Sequence, residues 1–253
     1  MIRRILVVND DGILSPGIKI LTKIATKLSK EVWVIAPENE QSASSHSLTL
    51  NRPLRIRKVS QRIYAVDGSP TDCVYLGFKK ILSLKPPDLV LSGVNCGANL
   101  GEDVTYSGTI GAAMEGSLSG VRGIALSQEY ISGQPVNWKT AEDWAPRIIK
   151  KIIKGSWDTS IVFNINFPSV SSKNVRGVEI TSQGEHHARD LYEKRIDPRG
   201  RSYFWIGVSE RLKKTGLKGT DVRAIQDNYI SITPLDLYFT HRNTLKKLRN
   251  DFR

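Results

Sequence analysis

The stretch Arg-Ile-Leu-Val-Val-Asn-Asp-Asp-Gly-Ile-Leu-Ser-Pro-Gly, residues 4–17, decides the fold class of this chain. Its apolar run, Arg4–Val8, stops at turn-forming residues, as a buried β-strand does. Ser15 and Pro16 are the residue types preferred at a helix N-cap and at the first helical position. Apolar residues then recur at helical spacing, and residues 32–36 form a second apolar run. A strand, a helix and a strand within about 35 residues predict a βαβ unit, whose strands are parallel.

The same alternation continues through most of the chain. Strands are predicted at 88–92, 123–127 and 161–167, and helices at 69–84, 108–119 and 140–154. Residues 51–66 alternate apolar and charged side chains, which predicts an antiparallel ribbon inserted into the main fold. Together these elements predict an α/β fold with a doubly wound, mostly parallel sheet over residues 1–183.

The pattern changes after about residue 184. Arginine, glycine and aromatic residues alternate without helical period as far as residue 205, which predicts a smaller, hairpin-rich C-terminal arm. A further strand is predicted at 229–233 and a short basic helix at 244–249. We therefore expect two domains, a main domain over 1–183, and a second over 184–253 that holds the arm, a returning strand and the C-terminal helix.

The composition, 40% hydrophobic and 25% charged, is typical of a globular protein. No run approaches 18 apolar residues, so no membrane span is expected. The short apolar run after Met1 predicts a first strand and not a signal peptide. The two cysteines, Cys73 and Cys96, form neither a disulfide framework nor a zinc-binding spacing. A cytoplasmic protein is the expectation that follows.

The formal net charge of +12 favours anionic partners. From residue 189 to the end there are 15 Lys and Arg residues against 8 Asp and Glu residues, so this quarter carries +7 of the total. Nucleotides, nucleic acids and phosphorylated metabolites are all compatible with such an excess, and the charge alone does not choose among them.

Ligands of an open parallel sheet bind beyond the carboxyl ends of its strands, and three loops lie there. The first contains Asp10 and Asp11, directly after the first strand. Adjacent carboxylates repel each other unless a cation or a proton relieves the repulsion. Oxygen ligands suit magnesium, manganese or calcium. Asn-Asp-Asp-Gly is also a common turn sequence, so this loop alone leaves a purely structural role open.

The second loop, residues 37–47, is rich in hydroxyl side chains. Ser42 is a candidate neutral ligand for a metal or a donor to phosphate. His46 is one of four histidines and a candidate general acid or base, because imidazole titrates near neutral pH. A mobile polar loop is the alternative interpretation.

The third loop is the most informative, because glycine recurs at every fourth position from Gly93 to Gly101. Glycines let a backbone approach a ligand and expose its N–H groups. Asn95 and Asn99 lie between them, and an asparagine carbonyl can bind a metal without adding negative charge. The candidate phosphate donors Ser107, Gly108 and Thr109 follow at the start of a helix, where free N–H groups bind anions. Asn99 is expected to help orient that phosphate.

Several other functions are not supported by the sequence. A GxGxxG after the first strand, a GxxxxGK[ST] loop and a GxSxG elbow are all absent, which argues against a dinucleotide site, a Walker-type NTPase and a serine hydrolase. Asp72 lies three residues after Ser69, and this spacing predicts a structural capping box. Cys96 has no neighbour that would make it a thiolate nucleophile, so we expect a small loop residue there.

At these loops the sequence resembles the SurE (survival protein E) family of nucleotidases. The matching stretches are 9–12, 36–37, 42–43, 46–47, 68–70, 72–74, 92–95, 97, 99, 101, 106–109 and 231–234. They follow one another in order over nearly the whole chain. The least family-like stretch is the basic segment 184–222.

The resemblance implies a Rossmann-like main domain and a smaller arm that is exchanged between subunits of a homodimer or homotetramer. It also implies hydrolysis of nucleoside monophosphates at the 5′ or 3′ position with one divalent ion per subunit, magnesium or manganese. Its metal ligands correspond to Asp10, Asp11, Ser42 and Asn95 in this sequence. Asp11 is our first choice for the group that aligns or deprotonates the attacking water, although Asp10 could exchange roles with it.

The competing hypothesis is a nucleic-acid-binding protein that uses the basic C-terminal quarter. Such a protein would bind phosphates without a metal. The aromatic and arginine residues between 192 and 205 could stack on bases. An acidic loop facing a glycine-rich loop is not needed for that function, and this difference favours the phosphatase.

Overall fold

The structure is a computed structural model that describes residues 2–185, 191–207 and 216–252. Among these residues the strands, in chain order, are β1 Arg4–Val8, β2 Glu31–Pro37, β3 Ile56–Ser60, β4 Ile63–Val66, β5 Leu89–Cys96, β6 Arg122–Gln128, β7 Ile161–Phe167, β8 Gly177–Ile180, β9 Leu191–Ile196, β10 Ser202–Gly207 and β11 Tyr229–Asp236. The helices are α1 Pro16–Thr26, α2 Pro70–Leu76, α3 Asp103–Tyr106, α4 Gly108–Leu118, α5 Trp138–Lys154, α6 Asp221–Gln226 and α7 Arg242–Asp251.

Nine strands form one mixed sheet in the order β3-β4-β2-β1-β5-β6-β7-β11-β8. The neighbouring pairs between β4 and β7 in this order are parallel, whereas the β3–β4 pair and the β7–β11 pair are antiparallel. β1 lies near the middle of the sheet, next to β5. The strands that follow β1 in the chain, β2 to β4, lie on one side of it, and β5 to β7 lie on the other. The predicted α/β fold with a doubly wound, mostly parallel sheet is therefore confirmed.

Helices cover both faces of the sheet. Because alternate side chains of β1 point to opposite faces, Ile5 and Val7 belong to one core, whereas Leu6 and Val8 belong to another. α1 and α5 pack together over the first face, and α2 and α4 over the second. Burial on both faces explains why the central strands read as continuous apolar runs.

The predicted helix signals are present as hydrogen bonds. The Ser15 hydroxyl accepts from Ile18 N at 3.4 Å and caps α1, with Pro16 in the first turn. At α2, Ser69 Oγ accepts from Asp72 N at 3.0 Å, and Asp72 Oδ2 accepts from Ser69 N at 2.8 Å. The structural capping role predicted for Asp72 is confirmed.

Several boundaries differ from those predicted. β5 continues beyond residue 92 to Cys96, with a register shift against β6, so Asn95 belongs to a strand and not to a loop. The predicted loop 93–107 also contains α3. The helix predicted over 69–84 is α2 followed by a π-helical turn, Gly77–Ile81. β4 pairs with β2, and the predicted ribbon is thus joined to the main sheet.

The C-terminal part contributes to both sheets. β9 and β10 form a separate antiparallel hairpin, whereas β11 lies in the main sheet between β7 and β8. Residues 186–190 and 208–215 of the predicted arm lie outside the described residues. The domain boundary at 183 stays a prediction. None of the helices in the described part of the chain is long and apolar enough to cross a membrane.

Candidate active site

Backbone hydrogen bonds bring the three predicted loops together at the carboxyl edge of the sheet. Gln41 N, from the loop after β2, donates to Asp10 O at 2.8 Å. Cys96 N, at the end of β5, donates to the carboxylate of Asp11 at 3.3 Å. Because β1 lies between β2 and β5, the residues after it are held from both sides.

Asp10 is buried and rigidly held. Its Oδ1 accepts a hydrogen bond of 2.7 Å from the hydroxyl of Thr109, at the start of α4. Burial raises the pKa of the Asp10 carboxyl, while hydrogen bonds from the Thr109 hydroxyl and backbone oppose that rise. The amino end of α4 is thus directed at this carboxylate, and its dipole favours negative charge there.

Asp11 is less enclosed and less restrained. Burial, followed by the negative charge of Asp10, raises the pKa of Asp11 to about 6. Within the described part of the chain, no positive side chain lowers the pKa of either carboxyl, and the carboxylate of Glu40 adds to the repulsion. Two ionised aspartates in this position therefore need a cation, which is the condition that a metal site satisfies.

The donor set fits a hard divalent cation. Among the described residues, no three His, Cys, Asp or Glu side chains converge on one point, so a site built from these residues needs neutral oxygens as further ligands. The Asn95 amide nitrogen donates to Gly97 O at 2.9 Å, which leaves the amide oxygen as the ligand atom. The Ser42 hydroxyl donates to Glu40 Oε1 at 2.7 Å. This serine therefore lies in the loop after β2 as predicted, but its hydroxyl points at Glu40 and not at the two aspartates.

Gly108 lets the start of α4 pack directly against Asp10 and Ser44, because it has no side chain. A Cβ on Gly108 would lie 2.5 Å from Ser44 Oγ and 3.2 Å from Asp10 Oδ2. Ser44 Oγ is itself buried without a hydrogen-bond partner among the described residues. This hydroxyl and the amino end of an 11-residue helix together favour a bound anion.

The predicted phosphate donors have additional roles. Ser107 Oγ accepts from Ile110 N at 3.2 Å and caps α4. Thr109 directs its hydroxyl to Asp10, as described above. The structure therefore places all three residues, including Gly108, beside Asp10, and their phosphate-binding role stays a prediction.

His46 is placed by α4. Its Nε2 lies 3.0 Å from Oε2 of Glu115, two helical turns after Gly108. A Cβ at Gly111 would touch the backbone of Ser45 and His46, so close packing of this loop on α4 requires glycine there. The Glu115 carboxylate thus orients the imidazole of His46. The expectation that His46 assists catalysis stays a prediction.

Asn99 belongs to a buried network below the glycine loop. Its Nδ2 donates to Ser127 Oγ at 2.8 Å, and its backbone N donates to Asn166 Oδ1 at 2.8 Å. The side-chain amides of Asn164 and Asn166 donate to Asn99 O. Asn99 thus anchors the loop to β6 and β7, and its orientation of phosphate stays a prediction.

Three residues of the site were not predicted: Glu40, Ser44 and Glu115. The first two belong to the polar loop 37–47, whose density of hydroxyl and carboxyl groups was the available signal. No local sequence pattern distinguishes Glu115, because its role depends on the packing of His46 against α4.

Comparisons with known proteins identify the family of the chain. The sequence model of the family described as "Survival protein SurE" matches residues 5–190. A 5′-nucleotidase SurE of Paramagnetospirillum magneticum is 54% identical over 98% of this chain and 95% of its own length. That of Parvibaculum lavamentivorans is 52% identical over 98% of this chain and 90% of its own length.

A solved structure gives the same result for the fold. The crystal structure of the SurE protein from Aquifex aeolicus is 38% identical and has a TM-score of 0.84, over 99% of this chain and all of that one. Sequence and structure thus confirm the resemblance that the loop motifs indicated. The chain belongs to the SurE family.

Proposed function

We propose that this chain is a divalent-metal-dependent phosphatase that hydrolyses nucleoside monophosphates to nucleoside and phosphate. One observation carries the proposal. The adjacent carboxylates of Asp10 and Asp11 lie at the carboxyl end of β1 beside the amino end of α4, and no positive side chain of the described residues lowers their pKa values. Such a pair suits a cation, and the helix end suits the phosphate that the cation would share.

Asp10, Asp11, Asn95 and Ser42 are the proposed metal ligands. A divalent cation bound there supplies Lewis-acid chemistry, since it offsets charge on phosphoryl oxygens and acidifies water. Ser42 would have to turn from Glu40 to take part, because its hydroxyl donates to that carboxylate in the structure. Magnesium and manganese are the proposed ions, because the ligand atoms are all oxygens.

The phosphate is proposed to bind at the amino end of α4. Ser44 Oγ, which is buried there without a partner among the described residues, and the helix dipole support this position. Ser107, Gly108 and Thr109 are the proposed donors, and Asn99 is proposed to help orient the phosphate. His46, which Glu115 orients, is proposed to assist and not to anchor the reaction.

Asp11 is the proposed group that aligns or deprotonates the attacking water. Thr109 restrains Asp10 with a 2.7 Å hydrogen bond, whereas the bond that Asp11 accepts from Cys96 N is longer, at 3.3 Å. The less restrained carboxylate is the better candidate to adjust to a water molecule.

The relatives support the substrate class. Those from Paramagnetospirillum magneticum and Parvibaculum lavamentivorans are both named 5′-nucleotidase SurE. We propose 5′-monophosphates as substrates on this ground, and 3′-monophosphates as additional ones. A homodimer or homotetramer in the cytoplasm is the proposed context.

The test is phosphate release from 5′- and 3′-nucleoside monophosphates with manganese, with magnesium and with EDTA. We expect release only with a divalent ion, and a loss of kcat/KM of at least about a hundredfold in Asp11→Asn. Asp158→Asn is the matched control, because this aspartate precedes β7 at the opposite edge of the sheet. Near-normal turnover of Asp11→Asn would contradict the assignment.

The second candidate function is nucleic-acid binding, and the exposed surface of the C-terminal part favours it. α7 has no buried residue and contains the cations Arg242, Lys246, Lys247 and Arg249. Binding of oligonucleotides that weakens with salt, persists in EDTA and occurs without hydrolysis would support this alternative.

A further inference from the structure

An aromatic ring stands beside the proposed metal ligand Asn95. We propose that Tyr130 is the nucleobase-binding platform of the site, an inference that rests on the proposed nucleotidase activity. It names the part of the site that would distinguish a nucleotide from other phosphate monoesters.

The topology places Tyr130 at the carboxyl edge of the sheet. Gln128 ends β6 and pairs with Cys96 of β5, and Gly97 N donates to Gln128 O at 2.9 Å. Glu129 N donates to Phe167 O at 2.9 Å, which holds the backbone immediately before Tyr130. The root of this side chain is therefore fixed to two neighbouring strands.

Gly97 keeps the space between Asn95 and Tyr130 open. Its φ is +124°, and a Cβ there would lie 3.8 Å from Asn95 Nδ2 and 3.8 Å from Tyr130 Cε1. The two atoms flank one position that the missing side chain of Gly97 leaves open. The ribose of a nucleotide spans a gap of this kind between its phosphate and its base.

The ring is accessible as well as near. Tyr130 is 43% exposed. A single exposed aromatic residue needs no explanation by itself. Tyr130, however, lies next to a candidate ligand of the metal, and this position suggests a role in binding. Stacking on an aromatic ring accepts every base, because each base has a π-face. We therefore expect broad base tolerance and not selection of one base.

Tyr106 is the competing ring. It is 65% exposed and directly precedes Ser107 at the amino end of α4. Tyr130, and not Tyr106, comes within 4 Å of the position that a Cβ on Gly97 would occupy, and this favours Tyr130. A Tyr106→Leu variant separates the two possibilities.

The experiment compares adenosine 5′-monophosphate with ribose 5-phosphate as substrates of wild type, Tyr130→Leu and Tyr130→Phe. We expect Tyr130→Leu to raise KM for the nucleotide about tenfold, with kcat little changed. KM for ribose 5-phosphate should stay unchanged, since that substrate has no base. Tyr130→Phe retains the ring and should behave as wild type.

Tyr238→Leu is the matched control. Tyr238 is exposed and follows Asp236, which pairs with the first residue of β7 at the opposite edge of the sheet. We expect this variant to leave both KM values unchanged. Turnover of ribose 5-phosphate by the same preparations is the readout that does not depend on a base.

Binding of adenosine, which has no phosphate, gives a readout that needs neither metal nor turnover. Saturation-transfer NMR should show contact with the base in wild type and Tyr130→Phe, and a weaker signal in Tyr130→Leu. Equal KM changes for both substrates, no change for either, or a base-dependent loss in Tyr106→Leu alone would each overturn the assignment. Absence of phosphate release from both substrates in wild type would refute the proposed function, while the adenosine measurement would still decide the role of Tyr130.

Discussion

The two aspartates after β1 have different environments, although they are neighbours in sequence. Asp10 is buried against Thr109, whereas Asp11 accepts a longer hydrogen bond from Cys96 N and is repelled by Asp10. The Asp10 carboxylate is thus fixed, whereas the Asp11 carboxylate can adjust. Without a cation, this arrangement lowers stability, because both negative charges lie in a site that disfavours them.

This cost predicts a stability effect of Asp11→Asn in EDTA. The folded-state pKa of Asp11, about 6, exceeds its ordinary value of 3.8, so the folded protein binds more protons between these values. Stability of the wild type should fall as pH rises through this window and stay lower above it. We expect Asp11→Asn to melt about 2–4 °C higher than wild type at pH 8, and the difference to vanish near pH 4.

Added manganese provides the internal control for this measurement. The ion binds the folded wild type and should raise its melting temperature, and it should raise that of Asp11→Asn much less. A variant that is no more stable than wild type at pH 8 in EDTA would contradict the proposed repulsion.

Ser44 allows a second test at the level of a single residue. Its hydroxyl is buried beside Gly108 without a hydrogen-bond partner among the described residues, so a bound phosphate would satisfy it. We expect Ser44→Ala to raise KM for a phosphate substrate about tenfold, the effect of one hydrogen bond to a charged group. Ser47→Ala in the same loop, whose exposed hydroxyl donates to Ser44 O, should change KM little.

At the scale of elements, α2 shows how a capping box stabilises distant structure. Asp72 Oδ2 accepts from Ser69 N at 2.8 Å and from Thr49 Oγ1 at 2.6 Å, and Oδ1 accepts from Thr49 N at 3.0 Å. The buried carboxylate therefore fixes both the start of α2 and the segment that follows the polar loop 37–47.

We expect Asp72→Ala to lower the free energy of unfolding by about 2–4 kcal/mol, because it leaves buried donors without an acceptor. Urea denaturation followed by circular dichroism measures this change. Asp72→Asn keeps the shape and one acceptor oxygen and should lose less. Equal stability of Asp72→Ala and wild type would contradict the role.

At the scale of the whole molecule, the β9–β10 hairpin lies outside the main sheet. Tyr192, Phe204 and Ile206 share one face of the hairpin, and each is more than half exposed. The rings of Tyr192 and Phe204 contact each other edge to face, with centroids 5.9 Å apart. An exposed apolar face on a projecting hairpin is typical of a subunit contact.

We expect a homodimer or homotetramer in solution and a shift toward the monomer in Phe204→Ser/Ile206→Ser. Sedimentation velocity at several concentrations measures the change. Leu118→Ser, which removes an exposed apolar side chain at the end of α4, is the matched control. A wild-type monomer at micromolar concentration would refute the oligomer predicted from the resemblance.

The sequence by itself determined the strands and helices of the parallel core, the acidic loop after β1 and the caps of α1 and α2. These features depend on local periodicity and on residues within a few positions, such as Ser69 and Asp72. The extension of β5 to Cys96 escaped prediction, because glycines that look like a loop there continue the pairing with β6. β4 likewise joins β2 through pairing that no local pattern records.

Only the tertiary structure decided which side chains meet in the site. Thr109 and Asp10 are 99 residues apart, Cys96 and Asp11 are 85 apart, and Glu115 and His46 are 69 apart. Contacts over such separations follow from strand order and helix packing, and residue type alone does not reveal them. From the sequence, the hydroxyl of Thr109 is predicted to donate to phosphate. In the folded protein it donates to Asp10, because the crossover from β5 brings α4 onto the end of β1.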